Sequence, residues 1–357
     1  IFSGLTVNLL LMYFVGNIGV ALYAVYCQLR FILRILAGGA LQTISTLGSM
    51  LYGERDFYGL RKMLSLLSKY TYALVAALMA GLFWGGSGTI SRFAPAAALD
   101  QPLALAWTRL FFGGVMLGAA ALAVRRRGVF LAARAAFLAG ICTAMNQTGF
   151  FMSMDVLGVA LSTMLVIGSS LVMAGVLGCF LGEVPSRLWW FAALLGIAGS
   201  CLAAAPGSAG ASFQLVGLLW GLLGGLGYAL LGLNLKLLAR RGLGPLESNG
   251  AALLWGAVLM LPLLWGRDMS WLATARGMAS ALALGFFPTA VPYFFFALAL
   301  ARITVGQSYT IGLVEPLTAG LLGLFFLGET ATAVQAAGMA LEFACMALAG
   351  WDALHKN

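Results

Sequence analysis

The sequence predicts an all-α membrane protein: ten transmembrane helices as two inverted five-helix units, plus two extra N-terminal transmembrane helices. Hydrophobic residues make up 62% of the chain, charged residues 9%, and the mean hydropathy is +0.99. A water-soluble protein cannot bury so large an apolar share, whereas bilayer hydrocarbon solvates it. Uncharged stretches cover 135–154, 188–235, 248–266 and 277–301. Each is long enough to cross a bilayer, which takes about 20 helical residues.

An internal repeat supports the division into two units. Leu181-Gly182-Glu183 and Leu327-Gly328-Glu329 stand 146 residues apart, and each lies between two long apolar runs. The same offset aligns two further pairs of dipeptides, Asn146-Gln147 with Pro292-Tyr293 and Ser169-Ser170 with Glu315-Pro316. Because five spans are an odd number, the second unit is expected to cross the bilayer in the opposite orientation to the first.

Twelve apolar segments follow one another along the chain. They cover about residues 3–24, 28–51, 72–95, 103–124, 130–153, 157–181, 186–205, 213–237, 246–265, 278–300, 303–327 and 331–352. With the connection 52–71 in the cytoplasm, the later cytoplasmic gaps hold nine Lys or Arg residues and the outer gaps hold three. This is the bias of the positive-inside rule, so both termini are expected in the cytoplasm.

The segments group into three regions, residues 1–71, 72–206 and 213–352. The last two are the repeat units, and the Pro-, Gly- and Ser-rich gap 206–212 is typical of a flexible linker.

The first region contains two apolar segments and then an amphipathic stretch at 57–70. Leu60, Met63, Leu64 and Leu67 share one helical face there, and Arg61, Lys62 and Lys69 lie among them. The pattern predicts a short helix on the cytoplasmic membrane surface.

Several classes of function find no support in the residues. The five cysteines lie in apolar segments without metal-ligand spacing, and the single histidine, His355, lies in the polar C-terminal tail. No Ser-His-Asp or Cys-His arrangement, Walker motif or GxGxxG loop is present. Most of the basic residues behind the net charge of +9 lie in short connections, as topology signals do. We therefore expect no enzyme, no metal, no cofactor and no nucleic-acid partner.

Residues from about 75 to 352 resemble the drug/metabolite transporter superfamily, as two EamA-type domains in tandem. The resemblance rests on short motifs: Phe83-Trp84-Gly85-Gly86, Leu219-Trp220-Gly221, Pro102-Leu103-Ala104 before Arg109, the two Leu-Gly-Glu tripeptides, and Gln335-Ala336-Ala337-Gly338. The first unit departs from the pattern, because Trp189 and Ala192 stand where Gln and Gly are usual.

The resemblance implies a carrier in the cytoplasmic membrane of a bacterium, with a substrate cavity between the two units. Such carriers usually export amino acids or other small metabolites and drugs by alternating access. The expected partners are then a small-molecule substrate and the lipid bilayer. Protons as coupling ions and a homodimer stay open.

Residues 1–70 resemble part of a multidrug-and-toxin extrusion (MATE) transporter. The resemblance rests on Gly38-Gly39-Ala40-Leu41-Gln42, Tyr52-Gly53-Glu54-Arg55-Asp56 and Leu60-Arg61-Lys62. Two helices cannot form the cavity of that family. The region is therefore interpreted as a fusion remnant or artefact, with an accessory hairpin as the alternative.

Glu315 and Arg109 are the leading candidates for contact with cargo. Glu315 lies inside an apolar segment and precedes Pro316, which breaks the helical hydrogen-bonding pattern. Its carboxylate could bind a substrate ammonium or carry a proton, and the alternative is an acid bonded to a neighbouring helix. Arg109, near the start of a span, could hold a carboxylate through its two-pronged guanidinium. The alternative for Arg109 is a helix-packing or snorkelling side chain.

Other polar and aromatic side chains at mid-span complete the candidate set. The substrate-binding candidates besides Glu315 and Arg109 are Asn146, Gln147, Trp84, Tyr228, Tyr293 and Gln307, with Asn234 and Tyr309 as further polar edges. Asn146 and Gln147 serve equally well to read a zwitterion or to join helices. Pro288 and Pro292 predict a broken helix, which marks binding sites in transporters. Trp84 and Trp220 are candidate gates, with interfacial or core aromatics as the alternative.

Two other interpretations remain at this stage. A non-transporting membrane scaffold or accessory protein would need neither a mid-span carboxylate nor inverted symmetry. An intramembrane enzyme would need paired acids or a Ser/Lys or His constellation. Glu342, in the last segment, is interpreted as an acid at the lipid edge or a dimer contact rather than a proton site.

Overall fold

The computed structural model describes residues 38, 41–91, 93–124, 133–157, 159–203, 215–319 and 332–355. These residues form helices and turns, and none of them is in a strand. The chain divides into two compact units, residues 1–75 and residues 76–357. The predicted span 3–24, half of 28–51, the linker 206–212 and the second Leu-Gly-Glu at 327–329 lie outside the described residues.

The main helices lie largely within the predicted apolar segments. They are α1 (Phe57–Gly85), α2 (Pro102–Val124), α3 (Phe137–Leu157), α4 (Val159–Cys179), α5 (Arg187–Ala203), α6 (Leu215–Arg240), α7 (Pro245–Met260), α8 (Ala275–Gly285), α9 (Val291–Leu300), α10 (Val305–Gly312) and α11 (Ala333–His355). Short helical turns at Ser87–Ser91 and Ala96–Leu99 connect α1 to α2. Beyond a turn at Leu313, residues 314–319 are helical again.

Six helical stretches in the described part of the chain are long and apolar enough to cross a membrane. They are Phe57–Gly85, Pro102–Val124, Ser162–Cys179, Leu215–Arg240, Pro245–Leu264 and Ala275–Leu300, with shorter apolar helices at Arg187–Leu202 and Ala333–Ala349. Large apolar side chains stand on the protein surface, including Leu215 and Leu219 at exposed fractions of 70% and 58%. Lipid, rather than water, suits such a surface.

One correction concerns the region 57–70. The expected separate helix on the membrane surface is wrong, because residues 57–85 form the single helix α1. The stretch around Tyr70 contains no proline or glycine, so nothing interrupts the succession of backbone hydrogen bonds. At the start of α1, the Asp56 carboxylate accepts the backbone N–H of Gly59 at 2.8 Å, as a helix cap does.

Glycines allow the closest approach between helices. In α6 the buried positions include Gly217, Gly221, Gly224, Gly225 and Gly227. A Cβ on Gly224 would stand 3.0 Å from the backbone nitrogen of Phe150, and one on Gly227 would stand 2.6 Å from that of Asn146. Backbone therefore meets backbone where α6 crosses α3, as in many membrane helix pairs.

Two pairs of helices reproduce the repeat in the sequence. Val159 and Val305 begin α4 and α10, and Arg187 and Ala333 begin α5 and α11, each pair 146 residues apart.

The second copy of α3 is broken, as the prolines predict. Instead of one long helix, the chain forms α8, a π-helical turn at Phe286–Ala290, and α9. Pro288 has no N–H to donate to the carbonyl of Leu284 one turn earlier. The hydroxyl of Thr289 donates to that carbonyl instead, at 2.8 Å.

Candidate functional site

A cavity of about 460 Å³ lies within the unit 76–357 and collects most of the predicted site residues. Its walls come from α1, α2, α3, α4, α6, α9 and the helical segment 314–319. Seven of the predicted residues line it: Trp84, Arg109, Asn146, Gln147, Tyr228, Tyr293 and Glu315. They come from six separate stretches of sequence, and the packing of the helices brings them together.

Opposite charges face this cavity from Arg109 on α2 and Glu315 on segment 314–319. The two do not form a direct ion pair, because the ion pairs among the described residues join Glu183 to Lys236 and Arg240. Neither charge is therefore compensated by an ion pair within the described part of the chain.

The broken helix positions Arg109. Pro292 has no N–H, so the carbonyl of Pro288 lacks its helical donor. The Arg109 Nη2 donates to this carbonyl at 3.4 Å, and its Nε donates to the Thr289 hydroxyl, also at 3.4 Å. A guanidinium has five N–H donors, so these two long bonds leave others for a ligand. Both interpretations of Arg109, ligand contact and helix packing, are compatible with this geometry.

Close packing of α1 positions Glu315. A Cβ on Gly81 would stand 3.3 Å from the backbone nitrogen of Glu315, and a Cβ on Gly85 would stand 2.6 Å from its carbonyl oxygen. The two glycines lie four residues apart and so share one face of α1. Pro316 then removes an N–H from the same helix. The acid is therefore held at an irregular stretch of backbone against a tightly packed neighbour.

The two predicted amides join helices as well as lining the cavity. The Asn146 side chain is buried, and its Nδ2 donates to the Gly224 carbonyl on α6 at 3.0 Å. Gln147 Nε2 donates to Asn146 Oδ1 at 3.1 Å. This bond orients the pair, so the amide edges that a cargo would meet are held in place.

Aromatic rings form one wall of the cavity around Trp84. The ring centroid of Trp84 lies 6.0 Å from that of Tyr228, 5.4 Å from Tyr293 and 5.3 Å from Phe296, with edge-to-face geometry in each case. Tyr309 packs behind, 4.7 Å from Tyr228, and its hydroxyl donates to the Tyr228 carbonyl. Such pairs are rigid and apolar on their faces, which suits an apolar side chain of a ligand.

Gln307 and Asn234 have other roles. Gln307 forms a capping box with Thr304 at the start of α10: its N–H donates to Thr304 Oγ1, and its Oε1 accepts the Thr304 N–H, both at 3.1 Å. Asn234 donates to the Leu230 carbonyl on its own helix at 2.8 Å. Neither residue lines the cavity.

Glu342 requires a correction. Its side chain is fully buried, so the expected position at the lipid edge is wrong. Its Oε1 accepts a hydrogen bond from Ser200 on α5 at 2.7 Å, while Oε2 is buried without a partner. Asp155 is exposed in the last turn of α3.

Sequence reasoning missed several lining residues. Ser87, Ser91, Phe150, Phe151 and Thr163 also face the cavity. The serines stand four residues apart on the short turn after α1, and this spacing was the one available signal.

Comparisons with known proteins identify the family. The sequence model of the EamA-like transporter family matches residues 215–351. A Bacillus subtilis (strain 168) protein described as uncharacterized transporter YwfM is 35% identical over 266 residues, covering 74% of this chain and 88% of that protein. The chain belongs to the EamA-like transporter family.

Two further comparisons give a partial sequence match and a structural match. An uncharacterized transporter of Archaeoglobus fulgidus is 36% identical over 135 residues, which are 37% of this chain and 47% of that protein. One solved crystal structure superposes with a TM-score of 0.65 at 19% identity, covering 78% of this chain and 97% of that chain. That likeness shows the fold alone. The comparisons do not support the resemblance of residues 1–70 to a MATE transporter.

Proposed function

We propose that this EamA-family protein is a secondary transporter that exports small zwitterionic metabolites, with amino acids as the first class to test. The observation that carries the proposal is the 460 Å³ cavity lined at once by a carboxylate, a guanidinium, amides and aromatic rings. Its volume falls in the usual range of small-molecule sites, about 300–1,000 Å³.

The chemistry of the walls matches a zwitterion. The Glu315 carboxylate takes the ammonium group, and Arg109 takes the carboxylate through a charge-assisted, two-pronged contact. Asn146 and Gln147 supply further polar contacts, and the wall around Trp84 holds an apolar side chain. A ligand with both charges satisfies both half-buried groups, whereas an uncharged ligand leaves them without an ionic partner at a cost in free energy.

Alternating access follows from the two predicted inverted units, 72–206 and 213–352. The cavity draws its walls from both, and it adjoins the broken helix at Phe286–Ala290. Binding sites of secondary transporters commonly lie at such a place, and one unit rocks against the other around them. Glu315 is also the proposed proton site, since a protonated carboxyl releases its hold on an ammonium group.

The proposed location is the cytoplasmic membrane of a bacterium with both termini in the cytoplasm. In that orientation the cavity lies nearer the outer face. It adjoins the beginnings of α2 and α4, at Pro102 and Thr163. Residues 1–71 are proposed to be an accessory or remnant segment, because no described lining residue precedes Trp84. A chain that starts at residue 72 is then expected to keep its transport activity.

The test is flux into proteoliposomes that contain the full chain. A panel of labelled amino acids is compared with the corresponding decarboxylated amines, with and without a pH gradient. We expect saturable amino-acid flux, loss of the gradient dependence in Glu315→Gln, and a higher KM for amino acids in Arg109→Gln. The amines should lose nothing from Arg109→Gln, because they have no carboxylate for Arg109 to hold.

The matched control is Glu247→Gln, a buried carboxyl outside this cavity. Its flux should equal that of the wild type. Unchanged gradient dependence in Glu315→Gln would remove the proton role. Equal losses for amino acids and amines in Arg109→Gln would remove the zwitterion assignment.

A further inference from the structure

The first Leu-Gly-Glu tripeptide lies far from the cavity and forms a contact between the two repeat units. Gly182 has a φ of +78°, and the Glu183 N–H donates to the Gly178 carbonyl while the Gly182 N–H donates to that of Cys179, both at 3.0 Å. These bonds end α4 with a Schellman motif, which requires a residue in the left-handed region and so favours glycine. The turn directs the Glu183 side chain to the ends of two other helices.

Three groups of the second unit converge on the Glu183 carboxylate. Lys236 of α6 forms an ion pair with Oε1, and Arg240 Nη2 lies 3.6 Å from the same oxygen. The N–H of Val305, the first residue of α10, donates to Oε2 at 2.8 Å. We call Glu183, Lys236, Arg240 and Val305 the Glu183 cluster. The single negative charge of the carboxylate is thus shared among two cations and the positive end of a helix dipole.

The cluster has a protected centre and an exposed rim. The side chains of Lys236 and Glu183 are exposed by only 9% and 12%, whereas that of Arg240 is exposed by 51%. A buried ion pair depends strongly on its partner, because removing one member leaves an uncompensated charge, and solvent screens an exposed pair. Lys236 and Glu183 are therefore the pair that holds this end of the molecule.

The cluster and the cavity lie at opposite ends of the same helices. The cavity touches α4 at Thr163 and Ile167, while Glu183 follows the end of α4. The helical rise of 1.5 Å per residue places the two about 20 Å apart. Between them lie Tyr309, with its bond to the Tyr228 carbonyl, and buried Cys142, whose Sγ lies 3.7 Å from Asn234 Nδ2.

We propose that the Glu183 cluster is a latch. It closes the end of the cavity that lies opposite to Pro102, and transport requires the Glu183–Lys236 ion pair to break. It ties the end of α6 to the end of α4 and the start of α10, so the helices cannot separate while the Glu183–Lys236 pair is intact. The proposal rests on the proposed transport function, but its test needs no substrate.

The test follows the reactivity of Cys142 toward N-ethylmaleimide in the full chain, with each cysteine quantified separately by mass spectrometry. Cys142 and Cys345 are both buried, but Cys345 packs against Gly196 between α5 and α11, away from the latch. We expect Glu183→Gln and Lys236→Met each to raise the labelling rate of Cys142 at least about tenfold, with the Cys345 rate unchanged. Gln retains an oxygen for the Val305 N–H, so it removes mainly the charge.

The matched control is Glu247→Gln. The Glu247 side chain is buried in the first turn of α7, and it forms no ion pair in the described part of the chain. It should label like the wild type. Unchanged Cys142 labelling in both latch variants would overturn the proposal, and so would a parallel rise at Cys345, which indicates general loosening. If the latch variants label faster at Cys142 but the wild-type chain shows no flux, the closure by the cluster is supported and the proposed transport function is refuted.

Discussion

Replacing Gly85 by alanine should move Glu315, because α1 touches the backbone of segment 314–319 at that position. The added Cβ would stand 2.6 Å from the Glu315 carbonyl oxygen and 2.6 Å from the Thr318 Cβ, whereas ordinary contact begins at 3.4 Å. The two helices must therefore separate by about 0.8 Å, and overpacking of this kind costs about 1–3 kcal/mol. At about 2–4 °C per kcal/mol, we expect a clear fall in Tm in detergent.

The same displacement weakens the hold on a cationic group. With an effective dielectric constant of about 20, moving an ammonium from about 3.0 to about 3.8 Å from a carboxylate loses about 1 kcal/mol. That loss corresponds to a rise in KM of about five- to tenfold. Flux into proteoliposomes measures it, with the amino acid that the wild type carries best.

The neighbouring glycine provides the control for this prediction. A Cβ on Gly86 would have Phe83 and Leu82 carbonyl oxygens as its nearest atoms, at 3.6 and 3.9 Å, so Gly86→Ala should leave Tm and KM close to wild type. If Gly85→Ala behaves like Gly86→Ala in both measurements, the close contact does not position Glu315 and the reasoning fails.

Three further predictions test other parts of the structure. Pro292→Ala restores a helical N–H, so it should raise Tm while lowering the transport rate, and a fall in Tm would contradict this account of the broken helix. Gly182→Ala places a side chain at a φ of +78° and should cost about 1–2 kcal/mol in thermal unfolding; no loss would argue against the Schellman turn. Ser200→Ala leaves the buried Glu342 carboxyl without its hydrogen bond and should cost about 1–3 kcal/mol. The double variant with Glu342→Met should recover most of that loss, and strictly additive losses would show that the two residues do not act as a pair.

Local sequence was sufficient wherever a local cause decides the structure. Hydrophobic runs predicted most of the described helices, and the offset of 146 residues predicted which helices begin at equivalent positions. Pro288 and Pro292 predicted the break between α8 and α9, because a missing N–H acts within one turn. The same approach misjudged 57–70, where an amphipathic pattern continues directly into the apolar part of α1.

Residues inside apolar segments were recognisable as candidates, but their roles were not. Glu315, Arg109 and Tyr293 meet in one cavity, whereas Gln307 caps a helix and Glu342 on α11 bonds to Ser200 on α5. All five are polar groups in apolar surroundings, so their sequence context is nearly the same. Their roles differ because helix packing determines whether each side chain points into the cavity or toward a neighbouring helix.

The sequence by itself determined that this is a membrane protein and that part of its helical pattern repeats. It also identified the few polar residues inside apolar segments as candidates for a specific role. Composition and periodicity are properties of single segments, so they can be read from the sequence. Because polar groups are costly to bury in a membrane, a polar residue inside an apolar segment stands out. Only the tertiary structure decided that Glu183, an acid in a short connection, joins Lys236 and Val305. Those residues are separated by 53 and 122 positions in the chain, and helix packing alone brings them within bonding distance.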